Sequence, residues 1–313
     1  MESGSINFRS LQMRRKRVLI TGSSGMLGKD IVDEMLNRNE FDIYGISRSQ
    51  KINSRIKEYV CDLVDFKRVK EILSEIEPDI IIHCAANVNV DSCEKNKNAA
   101  YQINSEATRV LAAHAPQKVK FLYISTDSIF NGDMGDYTEK DEPEPLNYYA
   151  FTKLEGERLA LQENPDALII RTNIYGFHKP TIEKSLVEWA LKEFGEGNAI
   201  TGFYDVFFNP IYTKQLAKVI YNLISLESRG IINIGCKEKL SKYEFLVMLA
   251  EMFNIDKMLV SKSSIDNISY NAKRPKNTTL DTFKFHNIIN YELEIKAGLK
   301  ELFNDYNGID FKE

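Results

Sequence analysis

Apolar residues in the first two-thirds of the chain follow two rhythms. Short, near-continuous apolar runs read as strands: RVLIT (17–21), FDIYGIS (41–47), IIIHCA (80–85), VKFLYIST (119–126) and ALIIRT (167–172). Between them, MLGKDIVDEMLNR (26–38), FKRVKEILSEI (66–76) and AAYQINSEATRVLAAHA (99–115) repeat their apolar positions every three to four residues and read as helices. Strands apolar on both sides must be covered on both faces. The alternation therefore predicts an α/β fold, a doubly wound parallel sheet with ligands at the carboxyl ends of its strands.

Beyond about residue 173 the rhythm loosens. A helix over roughly 181–194 is expected, then the Gly/Phe-rich segment GFYDVFFNP, a helix from Thr213 and one more strand, IINIG (231–235). The tail from Leu240 reads as helical, then loop-rich around SYNAKRPKNTTLD. No internal repeat or long linker is present. The expected organisation is an extension at 1–13, a dinucleotide-binding domain over 14–172 with 209–235 contributing, and a small substrate-binding lobe from 173–208 and 236–313. That lobe is read as laid over the sheet edge, not as a domain folding by itself.

Composition narrows the partners. The 313 residues are 43% hydrophobic and 11% aromatic, enough to fill one large core. Basic residues number 41 against 45 acidic, a net charge of −4, so no basic surface speaks for a nucleic acid. The short run Arg14-Arg15-Lys16-Arg17 abuts a strand and reads as its solvated start. Cys61, Cys84, Cys93 and Cys236 show no CxxC spacing, which suits reduced thiols and a cytoplasmic protein. His83, His114, His178 and His286 lack paired metal-ligand spacing, and no apolar run approaches the ~18 residues of a membrane span. Neither a metal nor a membrane is expected. Residues 1–12 lack an apolar signal core.

TGSSGMLG (21–28) follows the first strand and opens the first helix. Gly22, Gly25 and Gly28 suit a tight turn, a pyrophosphate approach and close helix–sheet packing. Ser24, Met26 and Leu27 complete the expected cofactor loop. The second strand ends in Ser47 and Arg48 where an acid would select NAD. A hydroxyl and a guanidinium suit a 2′-phosphate, so NADPH is expected, with NADH possible. Asp62 is placed to reach the adenine amine, and Leu63 to pack against its face.

LYISTDSIFNG (122–132) ends a strand with the hydroxyls of Ser125 and Thr126. Tyr149 and Lys153 in YYAFTK lie one helical turn apart on one face. A lysine beside a phenol lowers its pKa and makes the tyrosine a usable acid toward a carbonyl accepting hydride. Thr126 would hold the same carbonyl oxygen, and Lys153 would also reach the nicotinamide ribose. A YxxxK pair alone occurs in many helices. The glycine loop and the strand-end hydroxyls give it catalytic meaning.

Together with HCAANVNVDSCE (83–94), NPIYTKQLA (209–217) and RPKNTTLD (274–281), these motifs resemble the extended short-chain dehydrogenase/reductases. Within that superfamily the chain is most similar to dTDP-4-dehydrorhamnose reductases and their sugar-nucleotide-binding relatives. The resemblance spans residues 17 to about 285 and implies a Rossmann domain acting on a nucleotide sugar. It implies that Cys84, Ala85 and Ala86 line the cofactor and that Asn104 supports the lysine through water. It also implies that Asn173 and Arg274 contact a diphosphate, and that Ser128, Asn131 and Asp91 approach the sugar. A homodimer follows as a family expectation. An aromatic is commonly found where Ser128 stands, and a tryptophan in the segment read here as RTNIYG, which is one residue shorter. The hexose pocket is therefore expected to differ. The leading expectation is NAD(P)H-dependent reduction of a 4-keto-6-deoxy sugar nucleotide. Alternatives are an epimerase or dehydratase with bound NAD, or a regulatory protein resembling the methionine adenosyltransferase β-subunit.

Overall fold

The computed structural model describes residues 14–48, 55–115, 119–178, 185–290 and 292–307. The extension at 1–13 and the first residues of the helix expected from 181 lie outside them. Seven strands form one parallel sheet: β1 (Lys16–Thr21), β2 (Phe41–Ser47), β3 (Lys57–Val60), β4 (Ile80–His83), β5 (Lys120–Ile124), β6 (Leu168–Thr172) and β7 (Gly230–Ile234). Their order is β7-β6-β5-β4-β1-β2-β3. Chain progression reverses between β1 and β4, which is where a doubly wound sheet opens its ligand crevice. The expected strands are all present, some up to three residues shorter than their apolar runs.

Alternate residues of each strand feed two cores. Leu19, Ile81, Phe121, Tyr123 and Ile169 point to one face; Val18, Ile20, Ile82, Leu122, Ile124 and Ile170 point to the other. The first face is covered by α2 (Phe66–Ile76), α5 (Ala107–Ala113) and α6 (Tyr148–Glu163). The second is covered by α1 (Met26–Arg38) and α8 (Thr213–Ser225). This second core runs on into the lobe without a break. Phe245, Leu246 and Leu249 of α9 (Lys242–Met252), Phe285 of α10 (Phe283–Ile289), and Leu299 and Leu302 of α11 (Ile295–Asn307) all belong to it. α7 (Leu186–Gly195) begins at a Ser185–Glu188 capping box and packs Trp189 against the same core. Among the described residues no helix is long and apolar enough to cross a membrane.

One expected helix is broken. The run 99–115 is not continuous: α3 (Val90–Lys95) and α4 (Lys97–Tyr101) lead into a π-turn, Gln102–Glu106, before α5 resumes. The turn frees the Asn104 carbonyl, which accepts from Thr108 Oγ1 at 2.8 Å and from the Tyr123 hydroxyl at 3.2 Å. α6 comes in against this turn at Gly156, where a methyl group would collide with Tyr123 and the Asn104 carbonyl. Propensity could not show this, because the interruption answers a neighbour distant in sequence.

Candidate active site

The loop after β1 is held by backbone. Gly22 N–H donates to the Ile46 carbonyl at 2.8 Å, and Gly25 N–H to the Gly22 carbonyl at 2.9 Å. Gly22 has φ 68°, and a methyl there would meet the Ala85 amide at 3.0 Å. A methyl at Gly28 would strike the Gly22 carbonyl, so the helix can start this close to the strand only with glycine. Gly25 caps α1 without a side-chain hydrogen bond, and no acid lies in the first turn. Free N–H groups at a helix start beside a glycine cradle fit a dinucleotide pyrophosphate. The loop is braced from below: Ser23 donates to the buried Glu58 at 2.9 Å. Thr21 bonds His83 at 2.7 Å, whose other ring nitrogen meets Thr108 at 3.0 Å. Burial holds the His83 pKa down to about 3, so this histidine stays neutral and structural.

The residues expected at the cofactor differ in their burial. Leu27 and Leu63 are buried in the two cores. Met26 lies near Gly176, and Ser24 is half-buried on the loop. Asp62 is exposed, and its carboxylate accepts from the Val64 N–H, making a turn. Arg48 is exposed at the end of β2, beside buried Ser47. Cys84, Ala85 and Ala86 are half-buried in the segment after β4, with Ala85 against Gly22.

α6 carries a stripe spaced by single turns: Tyr149, Lys153 and Glu157. Asn147 caps the helix by accepting the Ala150 N–H, and donates to the Lys273 carbonyl, so the cap also ties the stripe to the lobe. Lys153 is buried; its Nζ donates to the Ile124 carbonyl at 2.7 Å and lies 4.0 Å from the Tyr123 ring centroid. Burial lowers its pKa to about 7, with Glu157 acting in the opposite sense. Glu157 forms a buried two-point pair with Arg171 (2.8 and 3.2 Å) and accepts a short hydrogen bond from Ser125. Ser125, expected against the cofactor, is therefore turned to the carboxylate behind it. Sequence reasoning passed over Glu157, although its i+4 spacing from Lys153 was the signal.

Thr126 adjoins the Tyr149 phenol and favours its ionised form, while its own hydroxyl donates to Asp127. The expected lowering of the Tyr149 pKa by Lys153 is not found: burial pushes it up, the Asp127 charge adds to this, and only the neighbouring Thr126 opposes. The largest cause is desolvation of the phenol itself. A raised pKa keeps the phenol protonated, which is what a proton donor needs.

Asp127 is the second centre of the site. Nearly fully buried, it accepts from Thr126 (3.2 Å), Ser128 (3.2 Å), Asn173 (2.8 Å) and Thr278 (2.6 Å). Asn173, expected at a diphosphate, is engaged here. Arg274, also expected there, pairs with Asp91 at 2.8 Å and lies over the Tyr270 ring. Asn131 donates to Asp133 and Glu144 and accepts from Tyr137, which makes it a turn-builder. Asn104 is buried and clamps Asn87 through both its amide atoms while donating to Thr152 at 3.0 Å. It thus joins the segment after β4 to α6 and meets Lys153 only through the helix. Among the described residues no three or more His, Cys, Asp or Glu gather as metal ligands.

The chain was compared with known proteins. The family model described as the RmlD substrate binding domain matches residues 16–307. Methionine adenosyltransferase 2 subunit beta of Danio rerio is 32% identical over 272 residues, covering 85% of this chain and 83% of the relative. A probable low-salt glycan biosynthesis reductase of Haloferax volcanii is 28% identical over 302 residues, covering 92% and 98%. The crystal structure of dTDP-4-dehydrorhamnose reductase from Bacillus anthracis, in complex with NADP, superposes with a TM-score of 0.82 at 30% identity, covering 93% of this chain and all of that one. With its glycine cradle, its Tyr149–Lys153 stripe and a match over almost its whole length, the chain belongs to the RmlD substrate-binding-domain family of extended short-chain dehydrogenase/reductases.

Proposed function

We propose that the chain is an NADPH-dependent reductase of the C4 keto group of a nucleotide-linked 4-keto-6-deoxy sugar. The observation that carries this reading is Tyr149, half-buried on α6 one turn before Lys153, its phenol held protonated by desolvation beside Thr126 and Asp127 at a strand end on the same edge of the sheet as the glycine cradle. A bound reduced nicotinamide would supply the hydride. The Gly22–Gly28 cradle and the start of α1 would hold its pyrophosphate, and Arg48 with Ser47 its 2′-phosphate. The B. anthracis reductase, which binds NADP, supports the same choice of cofactor. Thr126 would bond the substrate carbonyl oxygen and keep it against Tyr149, which gives up its proton as charge develops there. Lys153, one turn further along the same face of α6, would reach the nicotinamide ribose.

A dehydratase wants a second acid beside the threonine. Here Asp127 is followed by Ser128, and all its acceptor capacity is spent on four donors. An epimerase would retain its NAD, so tightly bound NAD after purification favours that reading. A second class stays open on one observation: methionine adenosyltransferase 2 subunit beta proteins from several vertebrates are 29–32% identical to this chain. A regulatory role of that kind predicts partner binding without turnover.

The test is NADPH oxidation at 340 nm against dTDP-, UDP- and GDP-linked 4-keto-6-deoxy sugars. Steady oxidation is expected with at least one, reduced about 10²–10⁴-fold in Tyr149→Phe while NADPH affinity holds. No oxidation with any of the three, together with a co-purifying partner protein, sinks the reductase reading.

A further inference from the structure

The nucleotide-sugar reading leaves a diphosphate to be met, and the residues expected to meet it are occupied. Asn173 donates to Asp127, and Arg274 is paired with Asp91. Lys153 donates to the Ile124 carbonyl. One further cation lies in the field of Asp127: Lys242, the first residue of α9.

Lys242 is placed by long-range structure. The two-residue strand Leu240–Ser241 pairs antiparallel with Phe207–Phe208, and the Lys242 N–H donates to the Val206 carbonyl at 2.8 Å. Ser241 and Glu244 form a capping box that fixes the helix start. Phe207 is joined in turn to Thr278, whose N–H donates to its carbonyl and whose hydroxyl reaches Asp127. The Lys242 ammonium therefore sits 3.2 Å from the centroid of the buried Phe208 ring, half-buried. Among the described residues it makes neither an ion pair nor a side-chain hydrogen bond. Burial lowers its pKa to about 8, with Asp127 acting in the opposite sense. A cation that has lost water without gaining a carboxylate has unused capacity for an anion. Asp127 is no obstacle to one, because four donors already surround its charge.

We propose that Lys242 is the anchor for the substrate diphosphate, its ammonium meeting the phosphate oxygens on the side away from the Phe208 ring. The proposal rests on the nucleotide-sugar reading above. An ammonium is a point charge on a flexible stem, so it recognises the diphosphate and not the base.

Calorimetric titration of dTDP, UDP and GDP into the full chain saturated with NADPH tests it. At least one nucleoside diphosphate binds the wild type. Lys242→Met weakens every one that binds by about tenfold or more, Lys242→Arg keeps affinity within about threefold, and NADPH affinity stays unchanged in both, showing that they fold. Affinities in Lys242→Met within twofold of wild type overturn the anchor and leave the reductase reading standing. Failure of all three to bind the wild type overturns the nucleotide-sugar reading, and the anchor with it.

Discussion

The two halves of the site are built from different materials. The glycine loop is local: Gly22, Gly25 and Gly28 lie within seven residues, and their backbone turns on itself because a side chain would collide with it. The Asp127 centre is assembled from far apart. Asn173 reaches it across 46 residues and Thr278 across 151, while Arg274 finds Asp91 across 183. A cofactor shared by many proteins can be held by a short motif of backbone. A particular sugar nucleotide must be held by side chains from several places, and the chain has to be folded before they meet.

Lys153 stands between the halves and gives the largest expected effect. Its folded pKa of about 7 lies below its ordinary 10.5. Between those values the unfolded chain binds more protons than the folded one, so stability rises with pH across that window, by up to about 1.4 kcal/mol per pH unit. Below pH 7 both states carry the proton, and the cost of the buried charge is complete. In Lys153→Met the rise is lost between pH 7 and 8 and reduced above that, where Lys120 and Lys242 still contribute, and the variant's gain over wild type is greatest below pH 7. Urea unfolding of the cofactor-free protein at a series of pH values reads it; parallel wild-type and variant curves refute it.

The next effect separates the halves. Asp127→Ala strands four donors and costs on the order of 3 kcal/mol, since hydrogen bonds to charged groups carry about 1.5–3 each. Thr278 loses its partner, so amide exchange across 264–282 should quicken while NADPH affinity is kept. A uniform rise in exchange over the whole sheet would show that the two halves are not separable. The smallest effect is the converse. Gly28→Ala overpacks the loop at a cost of about 1–3 kcal/mol. It should weaken NADPH binding about tenfold and leave exchange in 264–282 unaltered, which fluorescence titration with exchange mapping would check.

Legibility followed the same division. Strand and helix positions were readable because β2 and α1 carry their own apolar rhythm and punctuation; FDIYGIS and MLGKDIVDEMLNR match the observed elements end to end. The stripe on α6 was readable in part. Tyr149 and Lys153 show their spacing, but the Glu157–Arg171 pair behind them depends on β6 lying beside the helix. The protein partners of Ser125, Asn131, Asn173 and Arg274 were not readable, since residue type says what a side chain can bond and not which neighbour it will have. The π-turn at Asn104 was hidden for the same reason, as was Lys242, which no motif marks.

By itself, then, the sequence determined the sheet, the glycine cradle and the tyrosine–lysine spacing, all of which follow from steric and periodic rules acting over a few residues. The tertiary structure alone decided the protonation of Tyr149 and Lys153 and the four donors spent on Asp127. It also set the Lys242 ammonium over the Phe208 ring, with no carboxylate partner among the described residues. Those properties come from burial and from contacts between distant segments, which exist only once the chain has closed.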